Sequence, residues 1–219
     1  MLRHALLTLF LVASCGAAAE SLSAQCAATA TEGGVLACER ALAENPSDDE
    51  SRRNLGRAYL ANGDGGRSIL TYRDLLVRHP DDWTLHYDLA VASAAAMRFR
   101  EAAEPALTAL RMRPDDRPAL KIARIALQMS GRSAEAILLL ERLAADGDDT
   151  AMFDLADAYE YGLGVVADSS RAGTWYLKAG DAGHGGAAAR LADAYLNGDL
   201  GLNADPALAE AWARRAKGD

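Results

Sequence analysis

Histidine and cysteine carry the most reactive side chains in this 219-residue chain, and neither type is placed for catalysis. His4 lies in the N-terminal leader. His79 and His86 are separated by a loop proline, and neither they nor His184 stand at metal-ligand spacing from cysteines or carboxylates. Cys26 and Cys38 lack a paired histidine that would make a thiolate nucleophile. The run Gly63-Asp64-Gly65-Gly66 has the glycines of a phosphate loop, but no Gly-Lys-Ser or Gly-Lys-Thr follows and no strand precedes it. It reads as a turn between helices. The acid pairs Asp48-Asp49, Asp81-Asp82 and Asp115-Asp116 could bind calcium, yet they recur at one repeat position, which favours helix capping. The chain is expected to be no enzyme and to need no cofactor and no metal.

The elements that position these residues repeat. Pro46, Pro80 and Pro114 are thirty-four residues apart, and acids that open a helix follow each. That period marks a stack of helical hairpins. Apolar residues recur three or four apart and no stretch alternates with a period of two, so no sheet is expected. The reading is an all-α, right-handed α-solenoid of stacked antiparallel helical hairpins. Ser47 and Glu50 form a capping box, and Asp205 precedes Pro206 as an N-cap. Arg214, Arg215 and Lys217 suit the negative end of the last helix.

Counted from Asp49, positions seven, eight, eleven, twenty, twenty-four, twenty-seven and thirty-two read Leu55, Gly56, Tyr59, Ser68, Tyr72, Leu75 and Pro80. The copy from Trp83 gives Leu89, Ala90, Ser93, Ala102, Ala106, Ala109 and Pro114, and that from Arg117 gives Ala123, Arg124, Leu127, Ala136, Leu140, Leu143 and Asp148. This resembles the tetratricopeptide repeat, whose small residues at eight and twenty let two helices approach; Arg124 departs from it. A second period pairs Leu155, Ala156, Tyr159, Gly162, Gly164, Asp168, Ala172 and Trp175 with Leu191, Ala192, Tyr195, Gly198, Gly201, Asp205, Ala209 and Trp212. That set resembles the Sel1-like repeat. The tryptophans are expected to pack on Tyr159 and Tyr195, while Trp83 has no counterpart. The expected organisation is a leader at 1–19, an N-terminal helical hairpin at 20–46, three tetratricopeptide-like repeats at 47–150 and two Sel1-like repeats at 151–219.

Both resemblances imply a non-catalytic protein-binding scaffold. In tetratricopeptide arrays, positions two, five, nine and twelve line the inner groove; here they include Arg53, Arg57, Thr84, Tyr87, Val91, Lys121, Ile125 and Gln128. The groove is then basic at its ends and apolar in the middle, suited to a peptide with acidic residues around an apolar anchor. The alternative is that its arginines pair with acids of the same chain. A carboxylate-clamp pattern fails, because Asp88, Pro118 and Ile122 stand where polar or basic residues are wanted.

Arg3, the apolar run from Ala5 to Val12 and small residues to Ala19 form a secretory leader, too short to span a bilayer. Cleavage after Ala19 competes with lipid attachment at Cys15, since Val12-Ala13-Ser14-Cys15 resembles a lipobox. Without the leader and Arg3 the net charge moves from −8 to −9, which argues against nucleic-acid binding. The arginine- and alanine-rich composition points to a bacterium, hence the periplasm, with an outer-membrane lipoprotein bracing an envelope assembly or a polysaccharide-export complex as the alternative. In that oxidising compartment Cys26 and Cys38 are expected to pair across a turn at Thr31–Gly34.

Overall fold

A computed structural model describes residues 21–28 and 32–218. Its described residues form twelve α-helices and no strand. They are α1 (Leu22–Ala28), α2 (Glu32–Glu44), α3 (Asp49–Ala61), α4 (Gly65–Arg78), α5 (Trp83–Ala95), α6 (Phe99–Met112), α7 (Arg117–Met129), α8 (Ser133–Ala145), α9 (Asp149–Tyr161), α10 (Ser169–Asp181), α11 (Gly185–Asn197) and α12 (Pro206–Lys217). Each helix packs on the next, and the main contacts that skip a helix join α1 to α3 and α5 to α7. This is the stacked-hairpin α-solenoid. The expected leader at 1–19, with Cys15, lies outside the described residues.

Aspartate starts most of the helices. Asp48, Asp82, Asp116 and Asp148 cap α3, α5, α7 and α9, each carboxylate accepting a backbone N–H of the first turn. Such a cap contributes about 1 kcal/mol. The acid pairs are therefore capping devices. The Ser47–Glu50 box is not formed, because α3 begins one residue later than that box requires. Ser47 instead donates its hydroxyl to Asn45 (2.8 Å) within the preceding turn. Of the turn expected at Thr31–Gly34, Thr31 lies outside the described residues and the glycines are helical. Glu32, Gly33 and Gly34 belong to the first turn of α2, where weak helix formers cost less than in a helix interior.

Helix pairs approach through small side chains. A Cβ at Gly56 would lie 2.8 Å from the Tyr72 ring, so only glycine lets α3 and α4 close over that buried tyrosine. Alanines take over this role further along, with Ala90, Ala102, Ala106, Ala123, Ala126 and Ala136 buried in one core. Arg124 occupies the position-eight slot without wedging α7 from α8. Its guanidinium leaves the interface and pairs with Asp154 on α9. Trp212 is buried and Trp175 half-buried at the C-terminal end. The longer loops after α9 and α11 lean back on the preceding hairpin. A Cβ at Gly164 would stand 2.5 Å from the Ser133 backbone, and one at Gly201 would stand 2.7 Å from the Ser170 hydroxyl.

At the N-terminal end Cys26 of α1 and Cys38 of α2 form a disulfide, with Cα atoms 4.5 Å apart. The bridge is buried with Ala41, Leu55 and Tyr59. A loop this short contributes about 3 kcal/mol in the entropy model, which helps hold α1 against α2.

One turn breaks the pattern. The hairpin turns of the three tetratricopeptide-like units place Gly63 (φ 77°), Met97 (φ 59°) and Gly131 (φ 85°) at thirty-four-residue intervals in left-handed backbone. That conformation costs a side-chain-bearing residue about 1–2 kcal/mol.

Two glycine exchanges test this packing. Gly56→Ala should lower stability by about 1 kcal/mol, because overpacking against Tyr72 outweighs the gain in helix propensity. Met97→Gly should raise it by about 0.5–1 kcal/mol. Urea midpoints of the two variants moving in the same direction would contradict the account.

Candidate functional site

Helices α5 and α7 present their outer faces side by side. Tyr87 and Val91 come from α5, and Pro118, Lys121, Ile122 and Ile125 from α7. With Arg117 they line one open cleft of about 470 Å³. The helical period explains the set: positions two, five, six and nine of α7 fall on one side, facing positions five and nine of α5. The walls are Tyr87, Val91, Ile122 and Ile125, all half-buried.

The cations at this cleft are not free. Lys121 lies 2.7 Å and Arg117 3.4 Å from Asp148, the buried N-cap of α9. Two cations on one carboxylate leave one net positive charge at the cleft mouth. Burial pushes Asp148 up, but Lys121 and the Ala151 N–H outweigh it and hold the carboxyl below its usual range.

A similar tie occurs two repeats earlier. Arg53 and Arg57 sit in a separate polar depression of about 370 Å³, with Asp49, Glu50, Asn54, His79 and Asp82. Arg53 pairs with Asp82, the N-cap of α5, and Arg57 stands 3.7 Å from Asp88. Burial pushes Asp82 up as well, yet Thr84 and Arg53 keep its carboxyl low. Asp88 stays raised, chiefly by burial, because Arg57 and Arg53 only partly offset it. All six arginines between residues 51 and 78 pair with carboxylates of this chain; the other four are Arg52 with Asp74, Arg67 with Asp64, Arg73 with Glu101 and Arg78 with Asp49. Of the two expectations for these arginines, it is the pairing with acids of the same chain that the structure shows. The charge contrast along the chain is real, but its cations are spent on acids that the register brings alongside.

Of the residues expected to line one groove, Tyr87, Val91, Lys121 and Ile125 share the cleft. Arg53 and Arg57 lie apart from it. Thr84 turns to Asp82, its hydroxyl donating at 2.6 Å, and Gln128 accepts from Arg124 at 3.1 Å. Sequence reasoning missed Arg117, Pro118 and Ile122 as lining residues. Pro118 and Ile122 were visible as departures from the clamp pattern, and they are apolar wall.

An open cleft on a stack of hairpins defines a helical-repeat protein of the interaction-scaffold class. The tetratricopeptide-repeat model matches residues 34–75 and 53–117, and the Sel1-repeat model matches 149–184 and 186–217. The chain carries both kinds of repeat. The α7–α8 hairpin lies between the matched stretches and has the same architecture. No curated protein matches the chain. Among solved structures, a Sel1 repeat protein from Oxalobacter formigenes is similar at 20% identity and TM-score 0.52, covering 84% of this chain and 76% of that one. A protective antigen of uropathogenic Escherichia coli with an SLR fold is similar at 19% identity and TM-score 0.57, covering 85% of this chain and 41% of its own length. These likenesses show the fold.

Asp148 gives a pH prediction. A carboxyl held low in the folded state contributes stability that is complete above the unfolded value of about 3.9 and is lost as pH falls through the folded value. Asp148→Asn, which keeps the cap, should therefore cost about 1 kcal/mol at pH 7 and progressively less below pH ~4. Denaturant midpoints at the two pH values check it; a cost that does not change with pH would rule out the ion pairs as its source.

Proposed function

We propose that this protein is a non-catalytic scaffold or adaptor of the bacterial envelope that captures a protein partner in the α5/α7 cleft. The observation that carries this is the convergence of Tyr87, Val91, Pro118, Ile122 and Ile125 into one apolar cleft. The occupant is an extended or helical peptide segment with an apolar anchor. An acidic residue beside the anchor would meet the single net charge left by Arg117, Lys121 and Asp148. The apolar contact supplies most of the affinity, as desolvated aromatic anchors do at interfaces. The leader-like N-terminus and the Cys26–Cys38 pair support an oxidising, exported setting. The lipobox-like Val12-Ala13-Ser14-Cys15 supports a second reading, an outer-membrane lipoprotein that braces a larger assembly.

Crosslinking in envelope extracts, followed by affinity capture, should yield a partner whose binding Tyr87→Ala with Ile125→Ala weakens about tenfold or more at unchanged helicity. Lys121→Glu should change the salt dependence of binding. Wild-type affinity in both variants would move the site away from this cleft. Incorporation of a palmitate analogue that is abolished by Cys15→Ala would select the lipoprotein reading, and no incorporation would select the soluble one.

A further inference from the structure

A second surface stands out when each repeat is laid on its neighbours. At the turn joining α5 to α6, three positions that carry small residues in the adjoining repeats carry large apolar ones. Met97 replaces Gly63 and Gly131, Phe99 replaces Gly65 and Ser133, and Met129, from the next hairpin, replaces Ala61 and Ala95. The three meet in space, lining with Arg98, Arg100 and Glu101 a depression of about 300 Å³. Met97 is 72% exposed and Met129 57%. Met97 also holds left-handed backbone that its equivalents meet with glycine. Substitutions that cost backbone strain and expose apolar surface at one spot call for a compensating role, and methionine suits an adaptable contact surface.

We infer that this turn edge is a second docking surface, distinct from the α5/α7 cleft, for a protein segment bearing an apolar side chain next to a carboxylate. The charge argues for the carboxylate. Arg100, whose equivalents in the adjoining units are Gly66 and Ala134, joins no ion pair among the described residues. Arg98 reaches only Glu101, at 3.9 Å, and Glu101 is already held by Arg73 at 2.8 Å. Most other arginines of the helical stack are closely paired; these two are not. A bilayer fits less well, since Glu101 lines the same depression and would face anionic headgroups. The depression also suits an inserted side chain better than a flat surface.

The triple variant Met97→Gly, Phe99→Ser, Met129→Ala uses only residues that the chain's other repeats place there, so it should fold. A phage-displayed library of random dodecapeptides is panned in parallel on the wild-type chain without its leader and on this variant. Enriched sequences are then made as fluorescent peptides and titrated by polarisation. The expected result is a family with Leu or Phe beside Asp or Glu that is enriched on the wild type alone. Its affinity should fall tenfold or more in the triple variant, about threefold in Arg100→Ala, and not at all in Tyr87→Ala. Peptides recovered equally on both proteins overturn the inference while leaving the α5/α7 cleft untouched. Two further results would overturn it in favour of another occupant. One is binding to phosphatidylglycerol vesicles that the triple variant loses; the other is a wild-type dimer in sedimentation that the variant dissolves.

Discussion

A helical hairpin cannot bury its apolar stripe alone, and everything in this chain follows from the need to lay each hairpin closely on the next. Close approach demands small side chains where axes cross. The chain meets this with Gly56 beneath Tyr72 and then with a run of buried alanines through α5 to α8 and on into α9 to α12. Two further devices reinforce these neighbour contacts. The disulfide joins α1 to α2, and at the far end Arg215 lies over Trp212 and reaches back to the Gly180 carbonyl. Dispersion and apolar burial supply the attraction, and the tight packing makes each small-residue position intolerant of bulk.

Electrostatics then sets the register between hairpins. At α5 and α9 the N-cap aspartate caps its own first turn and also receives a cation from the preceding unit: Asp82 receives Arg53, and Asp148 receives Lys121 and Arg117. One side chain thus joins local structure to the stacking of repeats. The consequence for recognition is direct. Cations that would make the α3/α5 face a trap for acidic ligands are already satisfied, so the surface left for a partner is the apolar one between α5 and α7. The Arg190–Glu160 pair, at 2.8 Å, extends the same cross-repeat logic into the Sel1 repeats, where Glu160 also meets the Tyr176 hydroxyl at 2.6 Å.

Periodicity made the fold legible. Thirty-four-residue spacing named the hairpins, their turns and the faces of α5 and α7, because a repeat fixes which positions share a side. Exact helix starts were less visible, since Ser47 and Asp48 are both competent caps and only the geometry of the turn chooses between them. The ion pairs were hidden for a different reason. Arg53 and Asp82 belong to different repeats, and the contact depends on how far one unit is rotated and shifted on the next, which composition does not encode. The Met97 turn was readable in principle: Gly63 and Gly131 flank it at the repeat interval, and a non-glycine residue there is a departure that the period itself exposes.

The central claim is that the arginines of the α3 face serve the stacking of repeats, leaving apolar surface for recognition. A double-mutant cycle on unfolding free energy with Arg53→Met and Asp82→Asn tests it most directly, since asparagine preserves the cap while removing the charge. The account predicts a favourable coupling of about 0.5–1 kcal/mol that fades in high salt. Additive effects, with no coupling at low salt, would mean that Arg53 is free for a ligand and that the face was misjudged.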